Sequence, residues 1–502
     1  MAKQLIAQPL PNFGVNGLNT QSNPNSLDPS YLTSADNIVL RESGRISFRK
    51  GLKQKVVPSG TAINSIVEHN DQGTNKIFAS HGTSIYTIDF TSPNAAFPSS
   101  GADVKHTVAN STGDWQFVNF NNRLTCLHTG IVPQRYDGSA SAGSMWAAFD
   151  NATRPPTVST GEFKPSCGAG TYGRMWVGGV EEEKDVLHYS ALLDSDDYTT
   201  SSGGGSIDLK KVWDKDDIIA IAPFYGQLAV FGKNNIALYE SPDVIGNIKL
   251  NEVIKGIGCI ARDSVQAIGD DLVFLSSTGL RSLARTSEKD KVPLTDISKN
   301  IKDTIIRNVG VSNLTDVRSV YVENEGIYIL SFTDKNINYV FDFKHFTPNG
   351  EPRITTWTFD NDREPTSMCY TETYGYLTGQ KDGGIAGYEG YFDTDLAWVS
   401  SAASYTNSGI TADVSSIWIP LSQGMVASLL KRMILVLEGG SGATLGLRWY
   451  KDFGVVSSDT TQISLRPATT GTTALYGNAA SLYGASKYSP IYGLQEYSTP
   501  LT

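Results

Sequence analysis

GQLAVFGKNNIALYES, residues 226–241, holds an apolar strand, a turn rich in Gly and Asn, and a second strand in which apolar and polar residues alternate. The same order recurs along the chain. KIFASHGTSIYTID starts at Lys76, NRLTCLHTGIVPQRYD at Asn122, GRMWVGGVEEEKDVLHYS at Gly173, DDLVFLSSTGLRSLA at Asp270, EGIYILSFTDKNINYVFDF at Glu325 and GYLTGQKDGGIAGYEG at Gly375. Each unit follows a further strand, such as IIAIAPFY at 218–225 or VRSVYV at 317–322. The starts lie at intervals of about 50 residues, a period compatible with four-stranded blades. One such unit cannot bury both faces of its sheet, and radial stacking supplies the core, so the expected fold is an all-β β-propeller. The units at Asn122 and Gly375 are weaker, which leaves the blade count at six to seven.

Composition agrees with many short strands joined by tight turns. Charged residues make up 18% of the 502, with 48 Gly and 23 Tyr, against about 25% charged in an average domain. The formal charge is −10, so the chain lacks the basic footprint of a tight nucleic-acid binder. That balance is compatible with transient passage of double-stranded DNA, because a conduit lined with cations would hold the phosphates. The first residues, MAKQLIAQPLPNFG, read as neither signal peptide nor membrane anchor, and no run of eighteen apolar residues occurs. Cys126, Cys167, Cys259 and Cys369 are widely spaced, without a CxxC pair, and are expected as buried small hydrophobes.

Outside the repeats, ADNIVLRESGRISFRKG at 35–51 alternates as a hairpin, with Gly44 in its turn and Arg41, Arg45 and Arg49 on outward positions. No glycine-rich loop or helix start follows to cradle phosphate, so a solvated face is preferred over an anion site. The hairpin is expected to add outer strands to the last blade and so close the ring. TDISKNIKDTIIRNVG at 295–310 predicts a helix with Ile297, Ile301 and Ile305 on one face and Thr295 or Asp296 as cap. After Trp398 the segments SIWIPL, RMILVLEG and ATLGLRWYKDFG suggest sandwich strands, followed by a Tyr/Gly-rich arm. The expected organisation is an arm and hairpin over 1–55, the propeller over 56–395 and a C-terminal β domain over 396–502.

No catalytic, cofactor-binding or metal site emerges. The six histidines form no HExxH and no ligand cluster, and there is no GxSxG or Walker-type loop. GIGCIA at 256–261 lacks the third glycine of a dinucleotide fingerprint. The acidic runs at 181–183, 194–197 and 214–217 lack the spacing of a calcium loop and are expected to be solvated blade loops. YKDFGVVSSD near 450 echoes an Asp-box only faintly. For a glycan-acting propeller enzyme, Tyr, Asp and Arg are too numerous here for spacing to pick out a nucleophile tyrosine, its partner acid and an arginine clamp.

Two segments carry a resemblance to the tail nozzle or hub proteins of short-tailed bacteriophages. The first is the opening stretch, where Asn37, Gly44, Arg49 and Gly51 match an Asn-started strand, a glycine turn and a closing basic residue plus Gly. The second is GIGCIARDSVQAIGDDLVFLSSTGLRSLA at 256–284, where Gly258, Arg262, Ser264, Asp270, Phe274, Leu275, Ser276 and Gly279 match. The resemblance implies a virion protein without enzymatic activity or cofactor, a homohexamer at the distal end of the tail. It further implies contacts with the adaptor ring and with tail fibres or tailspikes, and a channel that retains the genome and then releases it. Asp194, Asp196 and Asp197 are the candidate channel-lining residues. The competing expectations are a glycan depolymerase and a host-binding adhesin.

Overall fold

The computed structural model describes residues 10, 12–41, 45–90, 104–111, 113–284, 296–360, 362–389, 394–399, 404–419, 432–438, 444–450, 461–464 and 494–500. The chain divides into two compact units, Met1–Ile417 and Trp418–Thr502. Among its described residues the first unit is overwhelmingly β, with the α-helix Lys302–Val311 and short 3-10 turns, and it is arranged as a β-propeller.

Five sheets are blades of consecutive antiparallel strands. The first four have four strands each, beginning with Ile63–Asp71, Trp115–Phe120, Cys167–Thr171 and Ile218–Phe224, and the fifth has three, beginning with Gln266–Ile268. The stretch at 226–241 forms the middle of the fourth blade, with strands Gln227–Gly232 and Asn235–Glu240. Its residues are buried on both faces because neighbouring blades cover both. Leu228, Val230, Ala237 and Tyr239 pack with Trp176 and Leu187 of the third blade. Ala229, Phe231, Ile236 and Leu238 pack with Leu272 and Phe274 of the fifth. Each large side chain so buried contributes about 1.5–3 kcal/mol.

The expectation of six to seven blades of this kind is corrected to five. The units at Glu325 and Gly375 lie instead in two wider, composite sheets. One runs in the order Val317–Val322, Ile327–Phe332, Ile337–Phe346, Pro352–Trp357, Gly17–Leu18, Tyr31–Asp36 and Asp413–Ser416. The other runs Pro365–Thr371, Gly375–Gln380, Ile385–Gly387, Lys53–Val56, Thr394–Val399 and Ser404–Gly409. First strands follow one another side by side, and Pro365–Thr371 packs against Ile63–Asp71 of the first blade, which closes the circle.

The closing element differs from the one expected. Ile38–Leu40 and Ile46–Phe48 pair only with each other. Lys53–Val56 supplies the closing strand, antiparallel to Ile385–Gly387 with Val56 opposite Ile385. Its alternation explains the fit. Gln54 and Val56 face inward, while Lys53 and Lys55 lie over the rings of Tyr405 and Tyr374 at 5.4 and 5.3 Å.

Helix Lys302–Val311 extends a 3-10 turn at Lys299–Ile301, and Ile297, Ile301 and Ile305 are all buried. Asp296 does not cap the helix; its carboxylate accepts from the Ser298 amide and hydroxyl one turn earlier. Thr295 lies outside the described residues, as do Gly44 and most of the Tyr/Gly-rich arm. The strands between 394 and 416 pair with the first unit, although the expected C-terminal domain began at 396. In the second unit, Arg432–Glu438 pairs with Leu494–Pro500 and Thr444–Leu447 with Thr461–Ser464.

Candidate functional site

Two of the arginines singled out by sequence, Arg49 and Arg262, lie in separate buried polar networks. The first is built on Arg49. Far from lying outward, its side chain is 1% exposed. It donates to both oxygens of Asp395 at 3.0 and 2.9 Å, to Asn37 Oδ1 at 3.0 Å, and to the carbonyls of Lys50 and Thr358 at 3.1 and 3.2 Å. The guanidinium also lies 4.5 Å from the centre of the Phe359 ring. Burial is possible because the bidentate carboxylate and three further acceptors replace water around the fork.

Asn37 holds the other side of this clasp in a left-handed conformation, φ 56°. Its amide donates to Thr358 Oγ1 and Thr411 O, each at 2.9 Å. Gly51 is buried beside it, and the amide of Leu52 donates to Asp395 Oδ1 at 2.7 Å. Asn37, Arg49 and Gly51 therefore form a knot that fixes the closing strand. Beside it, a cavity of about 10 Å³ bordered by Leu52, Arg363 and Asp395 has room for about one water molecule.

The second network lies where the starts of the first strands converge. Arg262 Nε and Nη2 bind the two oxygens of Asp263, each at 2.8 Å, Nη1 donates to Ser166 O at 2.9 Å, and Nη2 also contacts Asp114. Arg318 bridges the same two acids, at 3.1 Å from Asp114 and 3.3 Å from Asp263. Ser65 donates to Asp114 Oδ1 at 3.1 Å. Residues of the first, second, third and fifth blades and of the seven-stranded sheet thus share one cluster of two cations and two anions. Burial, with the neighbouring Asp263 charge, pushes the Asp114 carboxyl up to about 6. Asp263 is pulled the other way: its burial penalty is overcome by Arg262 and Arg318, which hold it down to about 2. Such a cluster locks blades together.

The remaining motif residues serve turns and packing within the first unit. Gly258 is required by a close approach, since a Cβ there would sit 2.3 Å from Gly232 O. Gly279 has φ +121° and faces Ser298. Ser264 is buried, accepting from the Leu275 amide at 3.0 Å while its carbonyl accepts from the Tyr328 hydroxyl at 2.8 Å. Phe274 stacks at an angle on Phe231, 5.1 Å between centres.

The acidic residues at 194–197 do not form a bare anionic lining. Asp196 contacts Arg135 and lies 3.8 Å from Arg123, and Asp194 lies 3.6 Å from the same Arg123. Asp197 accepts from the Thr199 amide and hydroxyl at 2.9 and 2.7 Å. Sequence reasoning passed over Asp114, Asp395, Arg318 and His188. The charged partners of Asp114, Asp395 and Arg318 are 55 to 346 residues away, and His188 is signalled by no spacing. This histidine is fully buried, with Glu183 3.4 Å from Nε2, and burial drops its pKa to about 4.

Among the described residues no group of three or more His, Cys, Asp or Glu is placed to hold a metal ion, and no helix is long and apolar enough to cross a membrane. Cys126, Cys167 and Cys259 are buried and Cys369 is half-buried. Burial pushes the Cys167 and Cys259 thiols up to about 12 and about 11, which keeps them protonated and unreactive.

No family model and no curated protein matches the chain. Among solved structures it is similar to Raptor from Chaetomium thermophilum, at 12% identity over 68% of this chain and 29% of that one, with a TM-score of 0.42. It is also similar to the extracellular domain of the putative hybrid two component system BT4673 from B. thetaiotaomicron (10% identity, 70% and 41% covered, TM-score 0.39) and to the Pan2 WD40 domain of Neurospora crassa (9%, 68% and 97%, TM-score 0.41). The chain thus spans well under half the length of the first two.

Proposed function

We propose that this protein is a structural scaffold without catalytic activity, a nozzle or hub component at the distal end of a short phage tail. The observation that carries the scaffold reading is the fate of the two charged motif residues: Arg49 and Arg262 are both buried in multidentate ion pairs that join distant parts of the ring. Spending both on cross-links stiffens the body and leaves neither to act on a substrate. The tail assignment rests on the resemblance of the 35–51 and 256–284 segments. Under this reading the C-terminal unit is a small β-sandwich. Because the Arg262 cluster occupies the convergence of the first strands, DNA would pass between several copies, in a channel bounded by their outer surfaces.

Antibody labelling of intact phage particles tests the assignment. Gold confined to the distal tail end supports it. Label on peripheral fibres favours the adhesin or depolymerase, and absence of label from both intact and disrupted particles refutes a virion role.

A further inference from the structure

The guanidinium groups of Arg49, Arg262 and Arg318 each meet a carboxylate. Arg174, on the third blade, is buried to 7% exposure and pairs with none. It opens the strand Arg174–Gly178, and its Nη1 donates to the carbonyls of Ser190 and Gly203, the latter at 3.0 Å. The cation lies 5.7 Å from the centre of the Tyr189 ring. Nε is sealed from solvent without a partner. Nη2 likewise makes no hydrogen bond but is open to solvent, as is the hydroxyl of Tyr189. Burial pulls the Arg174 pKa down, and only Tyr189 counters it. An arginine this deep in a protein is ordinarily paired, because taking a cation out of water is costly unless an anion accompanies it.

The surroundings suit a ligand that offers oxygens. The segment TTSSGGGS at 199–206 passes beside the guanidinium with few side chains of any size. A Cβ at Gly204 would sit 2.6 Å from the Tyr198 carbonyl carbon, and one at Gly205 would sit 2.4 Å from Tyr189 Oη, so glycine is what allows the close pass. A Cβ at Gly203 would meet nothing within 4 Å, which leaves open space beside the carbonyl that Nη1 holds. Ser201 and Ser202 are exposed on the same turn. The acid just before it, Asp197, is turned onto the Thr199 amide and hydroxyl. We propose that Arg174 Nη2 and the Tyr189 hydroxyl form a binding site for a single oxyanion, a phosphate or a carboxylate group, which supplies the counter-charge of the buried cation. The site stands independently of the tail assignment.

The test is calorimetric titration of the full chain with sodium phosphate and, separately, with sodium acetate at constant ionic strength. Saturable binding to one site is expected for the parent. Arg174→Met should abolish it, and Tyr189→Phe, which keeps the ring, should weaken it about three- to tenfold. Binding of phosphate alone assigns a tetrahedral oxyanion, and binding of acetate, alone or as well, assigns a carboxylate such as a partner chain could supply. Should Arg174→Met not fold, Tyr189→Phe carries the test. A parent that takes up neither anion, or either variant titrating like the parent, overturns the site.

Discussion

Replacing Arg49 with alanine should be among the most damaging single changes in the first unit. The substitution strips Asp395, whose side chain is 14% exposed, of both of its guanidinium bonds. It leaves the Lys50 and Thr358 carbonyls short of a donor and removes the cation from Phe359. Breaking a buried pair by deleting one partner costs about 3–5 kcal/mol, chiefly from the charge left behind. Asp395 keeps the Leu52 amide at 2.7 Å, which moderates the loss, so about 4 kcal/mol is expected. That is a large part of the roughly 5–15 kcal/mol total of a folded domain. Denaturant unfolding measures the change, and amide exchange locates it: protection should fall first in 53–56 and 385–387, the pair that closes the ring. Exposed Arg45→Ala should stay within about 0.5 kcal/mol of the parent. An Arg49→Ala protein as stable as Arg45→Ala, or one whose lost protection lies far from the closing strand, would refute the clasp.

Two buried groups should bend the pH profile in opposite senses. His188 is held neutral, so the unfolded chain binds the extra proton and stability falls as pH drops from about 6.5 towards about 4. His188→Leu should flatten that limb, by roughly 3 kcal/mol between the two pH values, read as melting temperature against pH. Asp114 is raised, so its folded form keeps the proton longer, and stability is lost as pH climbs from about 3.8 through about 6. Asp114→Asn should remove that decline and expose the His188 slope; a variant that parallels the parent at every pH would refute the assignment. Gly258→Ala forces a methyl against the Gly232 carbonyl and should cost about 1–3 kcal/mol, whereas the same change at Gly256, whose added Cβ would meet nothing within 4 Å, carries only the strain of its φ of +80°. Equal losses at the two glycines would show that the close approach is not what fixes Gly258.

The strands at 226–241 were readable because alternation and turn chemistry are local, set by a few consecutive residues. The helix was readable for the same reason, through the spacing of Ile297, Ile301 and Ile305. The order of the units along the chain then implied radial stacking, since each strand pair had two apolar faces to cover. Local pattern could not say which strand would close the ring. The hairpin at 38–48 and the KQKV strand at 53–56 both alternate, and only pairing with Ile385–Gly387 distinguishes them. Nor could it separate Arg45 from Arg49, two arginines four residues apart in one hairpin. Arg49 is buried because Asp395, 346 positions later, arrives with two oxygens in the plane of its fork. The Arg262 cluster has the same origin, with Asp114 lying 148 residues away. Sequence alone determined where the chain extends and turns. Tertiary structure decided which charges left water, because the cost of desolvating an ion is met only by partners that the closed ring brings within reach.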